Sequence, residues 1–264
     1  MVFQNYKINN IYIYIMPYFN NNYVNVLFIH IPKTGGTSIE NYFSSKYNIP
    51  LNNNSLFDKI DDKTKLNENM IINSVLQHIT YNQMVKYNKV FNINFNNVKI
   101  ITVVRNPYER IISDLFYFSK INCNTSKEEV FYIIKRYLVS DKYDNHNIPQ
   151  HIFITDNDKN LIPNIDILKT ENLTTDMNKL GYTDFDRVDN KNKYKINCYN
   201  YLNSQSIEMI NNFYHLDFIL FNYDKISVYP INYSHRQNSM PKLARIYKKK
   251  IKVTGLMDSL TIKK

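Results

Sequence analysis

Within "HIPKTGGTSIE", residues 30–40, a lysine, two adjacent glycines and the hydroxyls of Thr37 and Ser38 stand together, in a chain that has four glycines in all. Glycine lets backbone take a positive φ or approach a neighbour closely, so Gly35-Gly36 marks a place where side chains would obstruct. The apolar, β-forming run "NVLFIHI" (25–31) precedes it, and "TSIENYFSSKY" (37–47) follows with Ile39, Tyr42, Phe43 and Tyr47 near helical spacing. A strand, a glycine turn and a helix start gather free backbone N–H groups and the positive end of a helix dipole at one point, which makes a phosphate site. Lys33 adds a mobile charge there, and Thr37 and Ser38 add hydroxyl donors. The plainer reading is a tight turn whose helix takes Thr37 or Ser38 as its N-cap. Residue order excludes the common nucleotide loops. The Walker A pattern puts its lysine after the glycines, whereas Lys33 comes before them, and no GxGxxG is present.

A second constellation lies in "VVRNPYERIISD" (103–114). The chain has six arginines, and two of them, Arg105 and Arg110, stand five apart where an apolar run gives way to a helical pattern. The planar guanidinium suits bidentate recognition of phosphate. Ser113, about two helical turns on, can offer a hydroxyl to the same anion. Taken alone, this stretch reads equally well as a surface arginine and a core-facing serine.

Together the two stretches resemble the sulfotransferases that use PAPS (3′-phosphoadenosine 5′-phosphosulfate). In the membrane-type carbohydrate branch of that family, a 5′-phosphosulfate loop of the form PKTGGTS is followed by a 3′-phosphate motif RNPxxRxxSxY. This chain has "IPKTGGTS" and "RNPYERIISDLFYF"; Leu115 stands where the pattern has tyrosine, and Tyr117 lies two places later. "LQHITYNQM" (76–84) resembles the family's segment with a histidine base, and residues 148–182 its Gln–strand–"EnL"–helix region. "FYHLDFILFNY" (213–223) is similar to its closing helix, with Asn222 in place of glycine. The resemblance spans roughly residues 24–223 and implies a three-layer, P-loop-like α/β fold with a mainly parallel sheet. It implies that Lys33, Thr34, Gly35, Gly36, Thr37 and Ser38 hold the 5′-phosphosulfate, and that Lys33 steadies the bridging oxygen as it leaves. Arg105 and Ser113 would hold the 3′-phosphate, and His78 would take the proton of the acceptor hydroxyl. The expected acceptor is a carbohydrate, and no metal is expected. The alternative is a catalytically silent module that binds PAPS or a related nucleotide.

Of the six histidines, His30 ends the first strand and can line the pocket, and His151 follows Gln150 in a resembling segment. His146, His215 and His235 have no supporting context. "INYSHRQNS" (231–239) sets His235 and Arg236 beside hydroxyls.

The elements that must position these residues alternate. "VKIITVVR" (98–105) is continuously apolar, as parallel strands covered on both faces are. "NPYERIISDLFYFSK" (106–120) reads as a helix, with Pro107 in its first turn and a stripe of Ile111, Ile112, Leu115 and Phe118. Helices are also expected over 126–139 and, as one long element, over 204–221, with a strand opening 165–173. This is an α/β pattern. Residues 48–74 are polar and Asn-rich and read as a surface loop. The expected organisation is an N-terminal extension (1–20), a sulfotransferase domain (21–223) and a basic C-terminal extension (224–264).

The chain of 264 residues carries a net charge of +10, and residues 242–264 alone set eight cations against one carboxylate. A basic tail of this kind can meet a polyanion or stay solvated. No basic motif is interleaved with aromatics, so nucleic acid is not an expected partner. Cys123 and Cys198 make neither a disulfide framework nor metal-ligand spacing. "IYIYIM" (11–16) is far shorter than the roughly 20 residues of a bilayer span, and no secretory pattern opens the chain, so a soluble or cytoplasmic location is expected.

Overall fold

In the computed structural model the described residues are 7–8, 11–12, 18–51, 74–140, 142–186 and 197–228. Most of the 48–74 segment, the 231–239 stretch and the basic residues from 242 on lie outside them.

Strands Lys7–Ile8 (β1) and Ile11–Tyr12 (β2) pair antiparallel. The main sheet has four strands in the order β3 (Tyr18–Asn20), β4 (Asn25–Ile29), β5 (Lys99–Val104), β6 (Ile165–Lys169). β4 and β6 run parallel to β5 on either side of it, and β3 closes one edge antiparallel to β4. β3 thus ties the end of the expected N-terminal extension into the sheet. Successive side chains of a strand point to opposite faces, and in this sheet both faces are apolar. From β4 and β5, Val26, Phe28, Ile101 and Val103 join Leu168 of β6 on one face, while Leu27, Ile29, Ile100 and Val104 serve the other. That is why these runs are continuously hydrophobic.

The first face is covered by helices α1 (Gly36–Tyr47), through Ile39, Tyr42 and Phe43, and α6 (Leu173–Lys179), through Met177. The second face is covered by Leu76 and Ile79, by α2 (Tyr81–Lys86) and α3 (Asn88–Phe91), and by Phe153, Ile154 and Ile162. A third apolar cluster joins α4 (Pro107–Tyr117), α5 (Lys127–Val139), α7 (Ser204–Phe213) and α8 (His215–Leu220). The fold is therefore α/β, a mostly parallel sheet between helices.

Local rules place the helix starts. Pro107 is the first residue of α4, and Asn106 caps it by accepting from the Tyr108 N–H. Ser126 and Glu129 form a reciprocal capping box on α5, and Thr80 and Gln83 form one on α2. The single helix expected over 204–221 is instead two, α7 and α8, meeting at Tyr214. Hydrogen bonds of the i,i+4 type run across the junction, Tyr214 N–H to Ile210 O and Phe218 N–H to Tyr214 O, so the helix bends without separating. The bend brings Tyr214 Oη onto the Asn147 carbonyl and Asp217 under the Gln150 and His151 N–H groups. Anchoring to that segment outweighs a straight helix.

Candidate active site

The site forms where β4 and β5 end. Gly35 is the N-cap of α1 at φ 94°, a left-handed conformation that a Cβ would strain, and no side chain caps the helix. The helix therefore begins at Gly36, and neither Thr37 nor Ser38 is the cap. Thr37 is half-buried and Ser38 buried in its first turn. Thr34 is fully buried, and its hydroxyl donates to the Ile31 carbonyl at 2.8 Å. Just past β6, Thr170 Oγ1 lies 2.5 Å from Thr34 O and 3.1 Å from Val104 O. These bonds fix the loop to the strand ends and leave an uncapped, positively polarised helix terminus facing out of it.

Gly36 has a different role. A Cβ there would meet the ring of His30 at 2.5 Å. His30 is buried, with Nδ1 2.8 Å from Glu40 Oε1, and the other Glu40 oxygen accepts from Gln77 Nε2 at 2.7 Å. Glu40 on α1 thus locks the end of β4 to the turn that carries His78.

His78 ends a 3₁₀ turn, Leu76–His78, and packs edge-on against His30 and His146, with ring centroids at 5.3 and 4.8 Å. Its Nδ1 lies 2.7 Å from Asp144 Oδ2, and Asp144 Oδ1 accepts the Val75 N–H. Burial lowers the His78 pKa to about 4, against the opposing effect of its hydrogen bond to Asp144, and the neighbouring imidazoles lower it further. Burial works to raise the Asp144 pKa, but the His78 hydrogen bond leads the effects that hold it below the usual value. At neutral pH the pair is therefore a neutral imidazole and a carboxylate. Nδ1 carries the proton it donates, and Nε2 keeps a lone pair for accepting one. His146 repeats the pattern, with Nδ1 2.7 Å from Asp114 Oδ1, while the other Asp114 oxygen accepts from the Tyr137 hydroxyl.

Lys33 joins this array through Tyr117. Its Nζ lies 4.2 Å above the Tyr117 ring, and that ring stacks on His146 at 5.7 Å and 9°. The left-handed backbone of Lys33 (φ 66°) turns the side chain over α4. Burial lowers the Lys33 pKa, Asp114 opposes that, and Arg105 adds to it. Arg105 leaves β5 with its backbone N–H and carbonyl both bonded to the Gln150 amide. Its guanidinium reaches the Lys33 carbonyl at 3.4 Å and pairs with Glu109 at 3.2 Å. Arg105 thus lies against the phosphate-type loop, partly exposed. Ser113 is half-buried on α4.

Arg110, five residues on, is 2% exposed and spends its guanidinium on three carbonyls, those of Pro32, Ile148 and His146. It braces the site from beneath. No sequence pattern assigns a role to Asp144, Asp114, Glu40 or Gln77, and His146 has no supporting context there. His78 and Asp144 are 66 positions apart, and His146 and Asp114 are 32 apart, so no local pattern could have joined them. The one available signal was Tyr117, displaced by two places from the motif tyrosine, which now carries both Lys33 and His146.

The uncapped loop with Lys33 and Arg105 beside it can hold a polyanion, and the histidines beyond can accept a proton. No curated protein and no solved structure matches the chain. The model of the sulfotransferase family matches residues 17–224, which takes in every element of the main sheet and the whole of this site. On that match over most of its length, the chain belongs to the sulfotransferase family, enzymes that transfer a sulfuryl group to a hydroxyl-bearing acceptor.

Proposed function

We propose that the chain transfers the sulfuryl group of PAPS to a carbohydrate hydroxyl, and that the domain expected over residues 21–223, with the edge strand β3 added to it, does so. The observation that carries this reading is the contact between the loop and the base. His30 packs on Gly36 and edge-on against His78, so a single imidazole separates the α1 terminus, where the donor would sit, from the proposed base. The carbohydrate acceptor rests on the PKTGGTS form of the loop.

In this mechanism His78 Nε2 takes the proton from the acceptor hydroxyl as that oxygen forms its bond to sulfur. The bond between sulfur and the bridging oxygen breaks in line. Lys33 leaves the Tyr117 face to offset the negative charge that collects on the departing phosphate oxygen. The N–H groups at the start of α1 hold the 5′-phosphate, and Arg105 with Ser113 holds the 3′-phosphate, for which Arg105 exchanges its Glu109 partner. As in phosphoryl transfer, catalysis is positioning and charge stabilisation.

The test compares thermal unfolding with the product nucleotide PAP and with ADP, which lacks the 3′-phosphate. A nucleotide at a hundred times its Kd adds about 2.7 kcal/mol of apparent stability. PAP is expected to stabilise the protein and ADP to do so much less, with the difference lost in Arg105→Ala. Transfer from labelled PAPS to a panel of glycans should be lost in Lys33→Ala and His78→Ala, both still folded. Equal stabilisation by the two nucleotides would refute the 3′-phosphate reading. Binding of PAP without transfer to any acceptor would leave a silent nucleotide-binding module.

A further inference from the structure

His78, Asp144 and His146 each offer one ligating atom, and these atoms lie within 4.8 Å of one another. We propose that they form a binding site for a Zn²⁺-type dication, and that the ion inhibits the enzyme by occupying the base. The binding site stands on geometry alone; the inhibition rests on the reading of His78 as base.

Two imidazoles and one carboxylate are a donor set for Zn²⁺ or Co²⁺, unlike the all-oxygen sets that Mg²⁺ and Ca²⁺ take. Three protein ligands leave a fourth position for water. The supporting shell is already built. His146 Nδ1 is held by Asp114, which leaves Nε2 to ligate, and Asp114 is itself fixed by Tyr137. Asp144 keeps one oxygen on the Val75 N–H. Asn145 Nδ2 donates to the His78 carbonyl at 2.9 Å and ties the two ligand-bearing segments together.

The dimensions are close. Ligand atoms at tetrahedral angles on bonds of about 2.0 Å stand roughly 3.3 Å apart. The ion takes the place of the proton between His78 Nδ1 and Asp144 Oδ2, now 2.7 Å apart; that pair must open to about 3.3 Å, with Oδ2 swinging off the Nδ1 lone-pair axis. His146 must move inward from at most 4.8 Å. Asp144 belongs to a turn with left-handed residues at 144 and 145, and its side chain is 31% exposed, so the site has an entry from solvent. When Nδ1 binds the ion, the one proton of the neutral imidazole shifts to Nε2. That nitrogen then donates where the reaction needs it to accept.

The experiment titrates the full chain with Co²⁺, followed by visible absorption, and with Zn²⁺, followed by calorimetry. Neither measurement needs substrate, so the site is tested even if no sulfuryl transfer is found. One equivalent should bind with the strong visible bands of a four-coordinate Co²⁺ ion. His78→Ala and Asp144→Asn should each weaken binding at least tenfold while melting as folded proteins. Asp144→Asn keeps the side-chain volume and the hydrogen-bond acceptor, so it guards against a loss that is only misfolding. Zn²⁺ should suppress transfer from PAPS, and a chelator should restore it. Absence of saturable binding, or binding unchanged in both variants, would overturn the site; full transfer by the Zn²⁺-saturated enzyme would overturn the inhibition.

Discussion

At the residue scale, adjacent glycines in a glycine-poor chain prove to answer two separate demands. Gly35 is needed for its backbone, at φ 94°, and Gly36 is needed for its missing Cβ, because the His30 ring occupies that space. The substitutions should differ accordingly. Gly35→Ala meets only ordinary contacts, the nearest at 3.5 Å from Leu173, and its cost is the left-handed conformation, roughly 1–2 kcal/mol. Gly36→Ala must push a ring that Glu40, Phe28 and His78 hold in place, which as overpacking costs about 1–3 kcal/mol and displaces His78 as well. Chemical denaturation should show both losses. Transfer activity should fall further in Gly36→Ala than in Gly35→Ala when PAPS is saturating, because only the former displaces His78, the proposed base. A Gly36→Ala protein with unchanged stability would show that the His30 contact is not tight.

At the element scale, the sequence was most legible where one periodicity governs a whole segment. β4 and β5 read as buried strands because both of their faces are covered, and α4 announced itself through Pro107 and an apolar stripe. It was least legible where a side chain from a distant segment decides. Tyr214 and Asp217 bend the 204–221 helix toward residues 147–151, and nothing in the local pattern encodes those partners. The start of α1 misled for a related reason: Thr37 and Ser38 are good N-caps, but the left-handed Gly35 begins the helix earlier and leaves its terminus open. The motif residues of the candidate site were visible in the sequence, whereas the carboxylates that orient its histidines were not. The capping box on α2 gives a test at this scale. Thr80 lies two residues after His78 and accepts from the Gln83 N–H. Thr80→Ala should cost about 0.5–2 kcal/mol in denaturant unfolding, and Thr80→Ser should retain most of it. Loss of transfer rate beyond the loss of stability is expected in Thr80→Ala, since the cap fixes the chain direction just past His78, the proposed base.

At the scale of the whole molecule, three segments remote in sequence meet at the candidate active site: the loop after β4, the turn ending at His78, and residues 144–148. Glu40, Asp144 and Asn145 join them in pairs, and Arg110 joins the first to the third with three hydrogen bonds from one buried guanidinium. An arginine in a phosphate-binding motif would ordinarily be assigned to the ligand. Here Arg105 faces the loop surface and Arg110 is structural. An ammonium at position 110 cannot span the same three acceptors in the fixed fork of a guanidinium. Arg110→Lys should therefore leave buried carbonyls unpaired, at roughly 1–3 kcal/mol each, so a total near 3 kcal/mol or more is expected. In a domain of about 200 residues each kcal/mol lowers Tm by roughly 2–4 °C, so the midpoint should fall by about 6–12 °C. At temperatures where the variant is still folded, it should show a larger loss of kcat than of PAP affinity, because the bond to the His146 carbonyl is lost and that ring packs against His78, the proposed base. If PAP affinity collapses while Tm holds, Arg110 binds the nucleotide directly and the two arginines have been assigned the wrong way round.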